Sequence, residues 1–274
     1  MLTRILTSAI GVVVFFLALF SPPKIFMLVI LAVIAIMLYE MYGVLKCGKL
    51  VNAVGAVSAV IIAATMMYEN GTYMFLTFVS LVMLYMIAMV LKHGKLKAGE
   101  VLAHGFVTVF ITVFMCYNIK IFENFSALGV LWTFVIAWIT DSGAYFAGVF
   151  LGKHKLVPHI SPKKTVEGAI GGVIACVVAG VVYYLILVNI GAGFSWGVLI
   201  SLAAMSLVGS VLSQLGDFVA SCIKRDSDVK DYGSILPGHG GLMDRFDSVV
   251  FIAPFVYYVL TIINSVFIIS ASAV

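Results

Sequence analysis

Apolar runs broken at short intervals by polar, proline or glycine residues dominate this chain. They divide it into nine segments: Thr3–Phe20, Ile25–Leu45, Val51–Met67, Tyr73–Leu91, Val101–Tyr117, Leu128–Phe150, Val166–Val188, Trp196–Ile223 and Ser248–Ile269. A helix crosses ~30 Å of hydrocarbon with ~20 apolar residues at ~1.5 Å per residue, close to the length of each segment. The pattern predicts an all-α polytopic membrane protein with about nine transmembrane helices. Pro22, Pro23, Pro158, Pro162 and Pro237 fall in the breaks, where helices end. Arg4 and the apolar run after it have the outline of a signal peptide. Only Ser21-Pro22-Pro23 follows, without a small-residue cleavage site, so a retained first span is expected.

Composition narrows the class. The chain is 63% hydrophobic and 10% charged, where soluble domains carry about 45–50% and 25%, so a water-soluble fold is excluded. Cys47, Cys116, Cys176 and Cys222 form no C-x-x-C pair and read as small buried apolar residues. A net charge of +4 is too slight to indicate nucleic acid.

The distribution of that charge is more informative. Arg4, Lys46, Lys49, Lys92, Lys95, Lys97, Lys153, Lys155, Lys163, Lys164, Lys224, Arg225, Lys230 and Arg245 occupy alternate connections, and only Lys24 and Lys120 lie in the others. Under the positive-inside rule this places the N-terminus in the cytoplasm and the C-terminus outside, with Trp132 and Trp196 as interfacial aromatics on the outer side. The expected organisation is about five spans over residues 1–126, then a catalytic transmembrane region, 127–274, with cytoplasmic loops 151–165 and 224–247.

Candidate chemistry concentrates in those two loops and in two carboxylates within spans, Asp141 and Asp217. An ionisable residue at membrane depth costs ~2.5–3.5 kcal/mol or more and points to function. By helix rise Asp141 lies ~14 Å from the end of its span and Asp217 ~10 Å from Lys224, so both approach the cytoplasmic face from similar depth. Gln214, Asp217, Ser221 and Lys224/Arg225 share one helical face; Asp141, Tyr145, Gly148 and Gly152 share another. Aspartates with hydroxyl oxygens suit a hard cation such as Mg2+. Flanking Lys and Arg suit phosphate, and the Gly-rich run Pro237-Gly238-His239-Gly240-Gly241 lets backbone N–H groups approach it. Metal-assisted phosphoryl or nucleotidyl transfer follows. No Walker A motif is present.

Residues 221–247 read SCIKRDSDVKDYGSILPGHGGLMDRFD. This closely resembles the C-terminal signature of the phosphatidate cytidylyltransferases, S-x-ψ-K-R-x4-K-D-x-G-x2-L-P-x-H-G-G-x2-D-R-x-D, with every fixed position filled. Asp141-Ser142-Gly143-Ala144-Tyr145, Gly152-Lys153 and residues 161–168 are also similar to that family, and residues before about 127 match only in hydropathy. The resemblance implies transfer of CMP from CTP to phosphatidic acid, with Mg2+ and room for a second metal ion. For that reaction the residues are expected to divide with Asp217 and Asp244 as metal carboxylates and Ser221 nearby, and Lys224, Arg225, Lys230 and Arg245 on the triphosphate and pyrophosphate. Lys163 and Lys164 would hold CTP or lipid phosphate, Asp141 would support, and Asp231, His239, Gly240, Gly241 and Asp247 would complete the substrate site. The implied partners are CTP, phosphatidic acid and the lipid bilayer, with no nucleic acid and a homodimer as one option for assembly. The implied location is the inner (plasma) membrane, the site facing the cytoplasm.

Other residues carry plainer expectations. Glu40 and Glu69 lie near span ends, where water reaches them; Asp226 and Asp228 form a solvated loop face; His93, His104, His154 and His159 have no partner motif. An ion-coupled transporter explains the buried acids but not the dense charged loop. A CTP-dependent polyprenol kinase, or an enzyme acting on another lipid phosphate, competes within the CTP-using class. The D-G-x2-A-R pattern of CDP-alcohol phosphotransferases is missing.

Overall fold

A computed structural model describes residues 2–68, 73–191 and 193–271; Glu69 lies outside the described residues. Among the described residues the helices are α1 (Leu2–Leu19), α2 (Pro23–Leu45), α3 (Lys49–Tyr68), α4 (Met74–Leu91), α5 (Ala98–Leu151), α6 (Val166–Asn189), α7 (Trp196–Asp226) and α8 (Met243–Ala271). Seven of them, α2 to α8, are long and apolar enough to cross a membrane. Pro23 begins α2, where its missing N–H costs nothing.

The segments Val101–Tyr117 and Leu128–Phe150 both lie in α5, which joins two helices across a kink at Ser126. Residues 118–127 contain no Pro or Gly, and helical hydrogen bonding runs on until Ser126, whose backbone leaves helical geometry at φ 61°, ψ −173°. Loop 151–165 contains a two-stranded antiparallel ribbon, β1 (Lys155–Val157) and β2 (Ser161–Thr165), pairing Lys155 with Thr165 and Val157 with Ser161. Each strand keeps a free edge, which is where Pro162 is tolerated.

The chain forms two compact units. One comprises Met1–Glu123 with Asp226–Phe246, the other Asn124–Arg225 with Asp247–Val274. In the first, α2 buries Phe26, Ile30, Ile34, Met37, Leu38 and Met41 at helical spacing, and Phe26 stacks on Phe122 with ring centroids 4.3 Å apart. Deeper in this unit is a polar cluster. The Tyr42 hydroxyl bonds Thr108 (2.8 Å), the Tyr85 hydroxyl bonds His104 and Thr108 (both 3.1 Å), and His104 Nε2 bonds Asn52 Oδ1 (3.2 Å). His104 is thus a buried member of a network, which its sequence surroundings did not suggest.

In the second unit α7 buries a stripe of small residues, Ser206, Gly209, Ser210, Ser213, Gly216 and Ala220, the spacing that lets membrane helices approach closely. Trp132, expected at the interface, is instead 1% exposed and stacks on Tyr183 at 4.4 Å. A face supplied by another helix removes it from lipid. Trp196 remains exposed.

Candidate active site

In the second unit, small residues bring α5 and α6 to backbone contact. A Cβ on Gly168 would lie 2.7 Å from the Ala144 carbonyl oxygen, and one on Gly172 2.7 Å from that of Thr140. Thr165 caps α6, its hydroxyl accepting from Gly168 N–H at 3.1 Å. Glu167, in the first turn of α6, accepts from the backbone N–H groups of Lys153 (3.0 Å) and His154 (3.2 Å), fixing the entry to the ribbon. His154 also meets Glu167 through its ring. These contacts hold β2 so that Lys163 and Lys164 face the same cavity as α5 and α7.

That cavity, about 330 Å³, is lined by Asp141, Lys163, Lys164, Gln214 and Asp217 among others. Residues separated by up to 76 positions, and singled out by their chemistry, therefore share one space. Lys164 Nζ pairs with Asp217 Oδ2 and sits 4.3 Å above the Phe218 ring. Ser221 donates to Asp217 Oδ1 at 3.4 Å, one turn back on the same face of α7. Gln214 is anchored on the Ala169 carbonyl (3.2 Å), and Arg225 Nε reaches the Ile160 carbonyl (3.4 Å). Lys224 stands beside Arg225 in the last turn of α7. Asp247 is buried on α8, bonded to Ser248 N–H at 2.7 Å, within electrostatic reach of Asp217, Lys224 and Asp141.

The donor set here is oxygen-rich: carboxylates, a hydroxyl and an amide. That is the chemistry of a hard cation, and Lys164 demonstrates that the Asp217 carboxylate pairs with positive charge. Among the described residues no three His, Cys, Asp or Glu side chains gather as a cage.

The first unit carries the Gly-rich turn. Leu236 N–H bonds the Gly240 carbonyl (3.0 Å) and His239 N–H the Leu236 carbonyl (2.9 Å). Gly238 and Gly240 adopt φ of 79° and 85°, a region that penalises side chains. Asp244 Oδ2 accepts from the N–H groups of Tyr232 (2.8 Å) and Gly241 (3.0 Å), tying both ends of the turn together. Arg245 donates to the His239 carbonyl through Nε (3.2 Å) and Nη2 (2.7 Å). Lys230 and Asp231 are exposed. Asp226 and Asp228 are exposed as expected of a loop face.

Three residues that hold this turn escaped the sequence reading. Glu40, expected in water, is 4% exposed. Its carboxylate accepts the N–H groups of Leu242 (3.0 Å) and Met243 (2.8 Å). It lies well inside α2, which continues to Leu45, and the buried start of α8 supplies the compensating donors. Thr7 donates to the Pro237 carbonyl (3.1 Å), and Ser8 bonds His239 Nε2 (2.9 Å). A carboxylate within an apolar span was the available signal for Glu40. The two hydroxyls on α1 gave none beyond their polarity. The N–H groups of Gly241, Leu242 and Met243 are engaged by the chain's own carboxylates, so this part of the turn is a clasp and not an open phosphate cradle.

The profile of the Cytidylyltransferase family matches residues 2–263. A Bacillus subtilis (strain 168) protein named phosphatidate cytidylyltransferase is 35% identical over 273 residues, covering 95% of this chain and 98% of its own length. Staphylococcus haemolyticus and Staphylococcus saprophyticus proteins of the same name are 46% and 47% identical over 125 residues, 46% of each chain. With its profile match running nearly end to end and a relative aligned over almost its full length, the chain belongs to the cytidylyltransferase family, that of the phosphatidate cytidylyltransferases.

Proposed function

We propose that the chain transfers CMP from CTP to phosphatidic acid, releasing pyrophosphate and forming CDP-diacylglycerol. The observation that carries this is the cavity in which Lys163, Lys164, Asp141 and Asp217 converge below a basic ribbon. A phosphate oxygen of the lipid bonds to the α-phosphorus of CTP while the α–β anhydride breaks and pyrophosphate leaves. The second pKa of a phosphate monoester is near 6, so the attacking group is largely dianionic at neutral pH and needs little base catalysis.

The residues then act by charge and position. Lys164 leaves Asp217 for a phosphate oxygen, and Lys163 neutralises a second. Lys224, Arg225 and Lys230 take up triphosphate and pyrophosphate charge, and Asp141 supports the cavity wall. Asp217, with Ser221 beside it, would hold Mg2+, which supplies charge neutralisation on the triphosphate when bound. Asp244 is the other carboxylate on which the reaction depends; one of its oxygens orders the Gly-rich turn, and Arg245 clasps that turn.

The distribution of basic residues supports nine spans, with α5 counted as two, a cytoplasmic N-terminus, and a site facing the cytoplasm from the inner membrane. Purified protein given labelled CTP, Mg2+ and phosphatidic acid should yield CDP-lipid and pyrophosphate in equal amounts, and chelation of the metal should stop both. Absence of product, or product independent of phosphatidic acid, overturns the proposal.

A further inference from the structure

The first unit contains a second and larger cavity, about 1140 Å³, a groove between α2 and α3 closed near Glu40 by Tyr232–Ile235. Its walls follow from helical spacing. On α2 the exposed lining residues Ala35, Tyr39 and Gly43 recur every fourth position, and on α3 Ala53, Ala56 and Val60 recur at three and four. Each stripe continues into a lysine at the same end of the groove: Lys46 three residues beyond Gly43, and Lys49 four residues before Ala53. The two lysines flank the short turn that joins the helices, Lys46 in the left-handed C-cap of α2 and Lys49 at the start of α3.

Charge at this end is one-sided. Both lysines are exposed, and neither makes an ion pair among the described residues. The Glu100 carbonyl meets Cys47 Sγ across the turn at 3.6 Å, but the Glu100 carboxylate accepts the Lys97 N–H at 2.8 Å. Glu40 is the one carboxylate among the described lining residues, and its oxygens face the N–H groups of Leu242 and Met243. From Gly43 to Leu31 the groove follows α2 for ~18 Å, a little more than one ~15 Å leaflet of hydrocarbon. An apolar trough of that length, ending in two exposed lysines, has the outline of a phospholipid: a chain and an anionic headgroup. A second copy of the chain fits less well. Copies insert in the same direction, so packing groove on groove would bring both pairs of lysines to one level of the membrane, where like charges repel.

We propose that the groove binds an anionic phospholipid of the surrounding bilayer, with its phosphate between Lys46 and Lys49 and one acyl chain between α2 and α3. The site lies wholly within the first unit. It requires that α2 and α3 cross the membrane, for which both are long and apolar enough, and it is independent of which lipid phosphate the enzyme consumes.

For the test, full-length protein in detergent is titrated with dioleoyl phosphatidylglycerol or dioleoyl phosphatidylcholine, and native mass spectrometry reads bound lipid and oligomeric mass together. Each lysine beside an anionic headgroup is worth about fivefold in affinity. Lys46→Gln combined with Lys49→Gln should therefore weaken one phosphatidylglycerol site about thirtyfold and leave phosphatidylcholine binding within about twofold. Lys95→Gln combined with Lys97→Gln removes the same charge from the neighbouring turn between α4 and α5, and should weaken that site less. Ala56 is exposed on the groove wall, so Ala56→Phe plugs the groove without entering the core and should abolish the same site with every lysine in place. Equal or larger losses from the Lys95 and Lys97 pair would reduce the effect to diffuse surface attraction, and a phosphatidylglycerol affinity no higher than that for phosphatidylcholine would remove the headgroup contact; either result overturns the proposal. So does an Ala56→Phe protein that binds phosphatidylglycerol normally, or one that changes oligomeric mass and not lipid binding, which assigns the groove to a second copy.

Discussion

Removing the Glu40 carboxylate should disable the enzyme by unfastening the Gly-rich turn. The side chain is buried and accepts two backbone N–H groups at 3.0 and 2.8 Å. Hydrogen bonds to a charged group contribute about 1.5–3 kcal/mol each, and burying the orphaned donors adds to their loss. Glu40→Ala removes both bonds, so the ordered turn loses about 3–6 kcal/mol as an upper bound. Glu40→Gln keeps one acceptor oxygen and sets an amide N–H against the other donor, so roughly half is lost. If turnover follows the population of ordered turn, Glu40→Gln is slower by roughly ten- to a hundredfold. Glu40→Asp keeps the charge at shorter reach and should fall between Gln and wild type. The assay is initial CDP-lipid formation at saturating CTP and phosphatidic acid, beside thermal unfolding in detergent. Glu40→Ala with turnover within twofold of wild type and an unchanged unfolding temperature would refute the reasoning.

Gly241→Ala should mimic Glu40→Gln, because its Cβ would lie 2.6 Å from Glu40 Oε2; combined with Glu40→Ala it should cost almost nothing more, checked by the same rate assay as a double-mutant cycle. Asp217→Asn and Lys164→Met should each reduce kcat more than a hundredfold, about 2.7 kcal/mol of barrier, and the double variant should be no slower than the worse single, since the two side chains are paired. Burial, and secondarily Glu100, pushes the Cys47 thiol up, so less thiolate exists at neutral pH. Maleimide labelling of Cys47 should therefore be slower than that of the more exposed Cys222 at pH 7 and should accelerate as pH rises. Equal rates measured on the two single-cysteine proteins would contradict this.

The spans were legible because the bilayer imposes a length and a polarity on any helix that crosses it. The continuity of α5 through residues 118–125 was not, since a polar stretch without Pro or Gly can equally be a loop or more helix. The ribbon 155–165 was missed for a related reason: three- and five-residue strands are too short to show alternation. Within the site, the face carrying Asp217 and Ser221 could be read from helical spacing. The pairing of Asp217 with Lys164 could not, because it depends on how β2 returns along α6, 53 residues away. Glu40 was misjudged because hydropathy records the rarity of a carboxylate in a span and says nothing of the donors that will meet it.

The clasp between Glu40 and the start of α8 has a consequence for biosynthesis. Its partners are 202 residues apart, and at roughly 5–20 residues per second the ribosome needs about 10–40 s to make the second after the first. Throughout that interval α2 carries its acid into the bilayer without the two N–H groups that will later hold it, so its insertion depends on the apolar residues around Glu40 and on neighbouring helices. The turn cannot be fastened until synthesis has passed Met243. A partly made chain therefore has its membrane anchor long before its signature loop is secured, and the enzyme becomes competent only after Met243 has been made.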